Sequence, residues 1–169
     1  MRKSIKWSVL LVVVGLMAYF GVGILSKAQH KKEVEKTIQT LPDFTMQTIH
    51  NHAFSSKSLA GKAIAIIYFD PDCEHCQQEA RAFRRQAGQL KEMAIIWVSS
   101  QPRQKLQHFA RTYGLTALPK VTVGQISKET VYETFGFTTV PSILIYNTEG
   151  QLVKTYKGET KIEALTASL

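Results

Sequence analysis

The sequence predicts an α/β sandwich with a mixed central sheet, and three observations carry that prediction. Two short apolar runs, Ala63–Phe69 and Ala94–Ser99, contain no charge; runs of this kind, bounded by turns, suit strands buried on both faces of a largely parallel sheet. The segments that follow them carry apolar residues at spacings of three and four, the stripe of a helix packed on a sheet. Near the end, Ser142–Tyr146 and Leu152–Tyr156 flank Asn147-Thr148-Glu149-Gly150, an antiparallel hairpin. Strands alternating with helices up to a closing hairpin make a layered α/β domain.

The chain starts basic, with Arg2, Lys3 and Lys6, and then runs for 19 residues, Trp7–Leu25, without a charge. At about 1.5 Å per residue that run is just long enough to cross a hydrocarbon core of about 30 Å. Trp7 at one edge and Tyr19 toward the other suit the two interfaces. Ser26-Lys27-Ala28 offers a small-x-small cleavage site, but the apolar run exceeds the roughly 7–15 residues of a signal peptide. A retained single-pass anchor is therefore expected at 7–25, behind a basic flank at 1–6. Residues 26–41 read as a charged helical tether ended by Pro42, and 42–169 as the folded domain.

Lys27, Lys31, Lys32 and Lys36 follow the span and balance the three cations before it, so charge does not decide its orientation. The cysteine count does bear on it. Two cysteines and no others suit an oxidising compartment, which places the domain outside the cytoplasm. Residues 1–36 hold seven Lys/Arg against Glu33 and Glu35, whereas 37–169 hold 14 against 11 Asp/Glu. The basicity belongs mostly to the N-terminal segment, which points away from a nucleic-acid partner.

Within the domain, Phe44–Ile49 alternates apolar and polar residues, His50-Asn51-His52 turns, and Ala53-Phe54 resumes: a short hairpin. After Ala63–Phe69, the stripe Cys76, Ala80, Phe83, Ala87 and Leu90 predicts a long helix, with Arg81, Arg84 and Arg85 on its solvated side. Ala94–Ser99 follows, and Pro102 opens a second helix with Leu106, Phe109, Ala110 and Tyr113 on one face. Val121–Val123 is a short strand, Ser127–Phe135 contains a short helix, and a final helix starts from Thr160.

Cys73 and Cys76 stand as Cys-x-x-Cys where the first buried strand gives way to the first long helix, a place that suggests thiol–disulfide chemistry. A thiol in the first turn of a helix meets unpaired N–H groups and the positive end of the dipole, which favour thiolate. That makes Cys73 the nucleophile and Cys76, three residues on, the thiol that resolves a mixed disulfide. His75 as imidazolium would favour the Cys73 thiolate, while Asp70, Asp72 and Glu74 oppose it. The balance predicts a reductant or isomerase rather than a strong oxidase.

Several motifs together resemble the thioredoxin fold: the Cys73–Cys76 pair at a helix start, Thr139-Val140-Pro141 before a late strand, and the terminal hairpin. The opening segment from Leu41-Pro42-Asp43-Phe44 to Leu59-Ala60-Gly61-Lys62 narrows the resemblance to the membrane-anchored TlpA/ResA-like redoxins, over residues 41–165. This resemblance implies a three-layer thioredoxin-like domain with an N-terminal β-hairpin and a transmembrane helix before it. It implies that Glu79, in the pattern Cys-Glu-x-Cys-x-x-Glu, assists proton transfer at the disulfide. It also implies a cis peptide before Pro141, with the backbone of Val140 left free for a substrate strand. The activity implied is reduction of protein disulfides outside the cytoplasm, as in cytochrome c maturation, with electrons from a membrane thiol donor. The location implied is the bacterial cytoplasmic membrane, with the catalytic domain on its extracytoplasmic side and the protein monomeric. The redox group is the Cys73–Cys76 disulfide itself, with no other cofactor and no metal.

Two positions depart from that pattern. Asp72 stands where most thioredoxins carry tryptophan, and Ile67 stands where thioredoxin has a buried carboxylate. Other chemistries remain as alternatives. A peroxiredoxin-like peroxidase wants a hydroxyl three residues before its cysteine, where this chain has Asp70. A metal carrier could combine Cys73 and Cys76 with His50 or His52, a weak ligand pattern. A scaffold role without redox chemistry is the third.

Overall fold

A computed structural model of the chain describes residues 2–90 and 93–166, with the backbone alone at 2–14, 18, 22, 24, 87, 89 and 166. The chain forms two units, Met1–Lys36 and Thr37–Leu169. Helix α1, Arg2–Thr37, makes up the first unit and ends on the first residue of the second, so the charged stretch from Ser26 continues as helix. Most of the anchor expected at Trp7–Leu25, Trp7 included, falls on side chains outside the described residues. Among the described residues no helix is long and apolar enough to cross a membrane.

The second unit is built on a seven-stranded sheet. Its strands are β1 (Thr45–Thr48), β2 (Ala53–Ser55), β3 (Ala63–Tyr68), β4 (Met93–Ser99), β5 (Val121–Gln125), β6 (Ser142–Tyr146) and β7 (Leu152–Lys157). They lie in the order β2-β1-β5-β4-β3-β6-β7. The pairs β3/β4 and β4/β5 are parallel and all others antiparallel, the mixed sheet that the alternating pattern predicts. Parallel neighbours need crossovers. The first is α2 (Glu74–Arg85) and the second α3 (Arg103–Thr112); α4 (Lys128–Thr130) and α5 (Ile162–Thr166) follow.

Period-two alternation in the strands sorts the core into two faces. Ala65 and Ile67 of β3, Ile95 and Trp97 of β4, Val123 of β5 and Ile143 and Ile145 of β6 share one face. They form a single cluster with Phe83 of α2, Leu106 and Phe109 of α3, and Ile162 and Leu165. Trp97, fully buried, meets Phe69 and Phe83 edge-on at 5.2 and 5.3 Å. The alternate residues point the other way, where Tyr68 stacks on Phe137 and Phe44 packs edge-on against Phe135. Helical turns thus cover both faces.

The structure shortens one expected element. The α-helix after the cysteines ends at Arg85, and Ala87–Leu90 is a separate 3-10 turn. Gln86 already leaves the helical region (φ −113°, ψ 20°), and Gly88 has little propensity to carry the helix on. Leu90 is buried all the same, so the stripe reads the packing correctly and the helix length incorrectly. The expected short helix after Ser127 is α4, capped by the Ser127 hydroxyl accepting from Thr130 N at 3.1 Å and continued as a π-helical turn, Val131–Phe135.

The chain joins the sheet at a defined place. Leu41 N donates to Gly150 O (2.7 Å), Leu152 N donates to Gln39 O (2.9 Å), and Thr40 forms an antiparallel bridge with Gln151. This strap explains why the second unit starts at Thr37, ahead of Pro42.

Candidate active site

The sequence around the cysteines folds as it does because β3 runs out at Tyr68 and the chain must turn from sheet to helix within five residues. Phe69 N keeps one last sheet bond, to Val98 O at 3.1 Å. Asp70 then organises the turn. Its carbonyl accepts from Cys73 N (3.1 Å), and its carboxylate accepts from Asp72 N (2.9 Å) and from Gln101 Nε2 (2.7 Å). Gln77 Nε2, one turn into α2, donates to Pro71 O at 3.0 Å and closes the turn from the other side.

Cys73 is the N-cap residue of α2, in extended conformation, and its side chain makes no capping bond. Cys73 thus stands at the N-terminus of a 12-residue helix, where the first amides have no intrahelical partner and the dipole is positive. Both cysteines are free thiols; Cys73 is partly exposed and Cys76 fully buried. Burial pushes the Cys76 thiol far up from its ordinary value; the Asp70 backbone pulls it back, while Cys73 and then Glu79 add to the rise.

From the far end of the chain, the loop before β6 closes over the pair. The Val140–Pro141 peptide is cis, and the Val140 carbonyl lies 4.0 Å from the Cys73 sulfur. Pro141 O accepts from Gly158 N at 2.8 Å, which ties the loop after β7 to the same place.

Glu79 is 1% exposed and neither of its carboxylate oxygens makes a hydrogen bond. Desolvation, reinforced by the like charge of Glu159, pushes its carboxyl up to about 8; the Thr160 backbone pulls the other way at a geometry short of a hydrogen bond. His75, one turn before Glu79 on the same helix, has its Nδ1 3.2 Å from Glu159 Oε2, with the two side chains 67% and 43% exposed. The outer shoulder is different again. Asp72 pairs with Lys105 of α3 at 2.5 Å, both well exposed, and Asp72 raises the Lys105 ammonium above its usual range.

The structure thus brings Cys73, Cys76, Glu79, His75, Val140 and Pro141 to one end of the sheet. On the Asp72 side, an open groove of about 510 Å³ runs past Pro71, Asp72, Gln77, Lys105, His108 and Phe109. His50 and His52 lie exposed in and beside the β1–β2 turn, where Asn51 takes a left-handed φ of 64° and bonds Arg103. Among the described residues no group of three or more His, Cys, Asp or Glu side chains is placed to hold a metal ion. Asp70 offers a carboxylate, already engaged twice, where a peroxidase loop would offer a hydroxyl.

Sequence reasoning passed over Gln101, Lys105 and Glu159. Glu159 is 84 residues from His75, and no local pattern signals a contact of that separation.

Comparison with known proteins agrees with this geometry. The model of the AhpC/TSA family matches residues 38–157. The thioredoxin-like protein YneN of Bacillus subtilis (strain 168) is 26% identical over 116 residues, which cover 66% of this chain and 68% of that protein. Among solved structures, a putative thioredoxin from Neisseria meningitidis is 26% identical, with 76% of this chain and 86% of that one covered and a TM-score of 0.64. MTB DsbF, in mixed oxidised and reduced forms, is 23% identical, with 78% and 93% covered and a TM-score of 0.66, a likeness of fold. The chain belongs to the AhpC/TSA family, with a thioredoxin-like fold.

Proposed function

From that membership we propose that this thioredoxin-like disulfide oxidoreductase works as a reductant of protein disulfides, using Cys73 as nucleophile and Cys76 as resolving thiol. The observation that carries the reading is the placement of a partly exposed Cys73 at a helix N-terminus, beside a cis Pro141 and over a buried Cys76. The exposed sulfur meets substrate, and the backbone at Val140 can pair with an extended substrate segment.

The Cys73 thiolate attacks one sulfur of the substrate disulfide. That bond breaks, a Cys73–substrate disulfide forms, and the departing thiolate takes the proton of Glu79, which leaves Glu79 as the carboxylate. Cys76 gives its proton to the Glu79 carboxylate and attacks the Cys73 sulfur; the Cys73–Cys76 bond forms and the second substrate thiolate leaves. Two electrons pass from the dithiol to the substrate. A carboxyl poised at about 8 can give and take protons near neutrality, which a solvated glutamate cannot. A second dithiol, from a membrane donor, returns the enzyme to its reduced form.

The uncharged run at Trp7–Leu25 supports a single-pass anchor, the count of two cysteines supports a domain outside the cytoplasm, and the resemblance to TlpA/ResA-like redoxins supports exported thiol proteins such as apocytochromes c as substrates. The test is a Cys76→Ser full chain expressed in membranes. It is expected to accumulate a Cys73-linked protein adduct that dithiothreitol releases. Absence of any adduct, with Cys73 still open to alkylation, overturns the reading.

A further inference from the structure

We propose that Glu159 is a positioning residue of this site, coupling the exposed His75 to the buried Glu79 so that the two share the proton traffic of the disulfide. The inference rests on the thiol–disulfide reading above and extends it to a residue that the cysteine motif does not contain.

The geometry comes from two elements facing each other. His75 and Glu79 stand four apart on α2 and so lie on one face of the helix. The loop Gly158-Glu159-Thr160 after β7 lies along that face. Gly158 N is held by Pro141 O at 2.8 Å, Glu159 meets His75 at 3.2 Å, and the Thr160 backbone comes near Glu79. Glu79 itself is 1% exposed with both oxygens unpartnered, so burial raises its proton affinity first and the like charge of Glu159 raises it further. The titratable groups facing Glu79 are Cys76 from its own helix and Glu159 from the loop; His75 faces Glu159, and Cys73 faces Cys76.

The consequence follows from the signs. With His75 protonated, the Glu159 charge is offset and Glu79 gives up its proton more easily. With His75 neutral, Glu159 repels a second negative charge and Glu79 keeps its proton. The exposed imidazole therefore spreads the titration of the buried acid over a wider pH range than a single carboxyl spans.

The test is a carbon-13 titration of the Glu79 carboxyl in the reduced full chain, assigned with Glu79→Gln. Glu159→Gln removes the facing charge at constant shape, and the midpoint of Glu79 is expected to fall by about one unit. His75→Asn alone is expected to narrow the Glu79 titration to that of a single carboxyl, and added to Glu159→Gln to change nothing further, because His75 acts only through Glu159. An unmoved midpoint in Glu159→Gln, an unchanged titration width in His75→Asn, or an additional shift from His75→Asn on top of Glu159→Gln overturns the coupling. Both side chains are partly exposed, so neither substitution opens the core. The titration needs no substrate: a shifted midpoint without a Cys73 adduct leaves the coupling standing and removes the exchange reading, and the reverse removes only the coupling.

Discussion

Asp72 and Glu79 stand on either side of the Cys73–Cys76 pair, the first just before α2 and the second inside it, and the protein treats the two carboxylates in opposite ways. Asp72 is 69% exposed and paired with Lys105; Glu79 is 1% exposed and paired with nothing. An exposed ion pair in water contributes little, because solvent and salt screen it and two long side chains lose freedom in making it. A buried carboxyl has no such relief, and it answers by holding its proton. The outer shoulder of the site therefore supplies shape and a weak field, whereas the inner shelf supplies an acid.

The largest test of that contrast is stability against pH. Glu79 binds its proton up to about 8 in the folded protein and to 4.5 in the unfolded chain, so between those values the folded state holds more protons. Its contribution is intact below about 4.5 and is lost as pH rises through 8, a fall of roughly 3–5 kcal/mol. Denaturant titrations of the reduced full chain should show that decline, and Glu79→Gln should flatten most of it. The same slope in the variant would mean that another group carries it.

Kinetics gives the next effect. With no acceptor beside Cys76, the Glu79→Gln chain should resolve a Cys73 mixed disulfide about 10²-fold more slowly at pH 7, equivalent to about 2.7 kcal/mol. Quenched-flow measurement with a small aromatic disulfide reads this directly, and an unchanged rate would return Glu79 to a purely structural role. Asp72→Asn should do much less. Removing an exposed negative charge next to Cys73 favours its thiolate, and alkylation at pH 7 should speed up by less than tenfold. Smallest of all, Lys105→Ala should leave the thermal midpoint where it is at 0.15 M salt, as calorimetry can check.

The fold was legible because its signals are local. The unbroken apolar run from Ala63 reports a strand buried on both faces, and β3 has five buried residues in six. Asn147–Gly150 announces its hairpin through turn chemistry alone, with Gly150 at φ 74°. The site was legible where the chain is contiguous, from Cys73 to Glu79, and at Pro141. Glu79 shows the boundary of the method. Helical periodicity puts it at the border of the stripe, whereas the structure makes it interior, at 1% exposure, with Glu159 and the Thr160 backbone from far along the chain acting on it. His75 shows it too, since the sequence pairs it with the neighbouring thiol and the structure gives its Nδ1 to Glu159.

The strap between Gln39–Leu41 and Gly150–Leu152 has a bearing on traffic at the site. It lies beside the Ala63 end of β3 and the Tyr146 end of β6, whereas Cys73 and Pro141 lie beyond Tyr68 and Ser142 at the other end. Six residues of strand separate the two poles, about 20 Å. The strap is thus tied at one end of the sheet and the mouth of the site opens at the other, so Gln39–Leu41 leave the Cys73 face open to an arriving polypeptide.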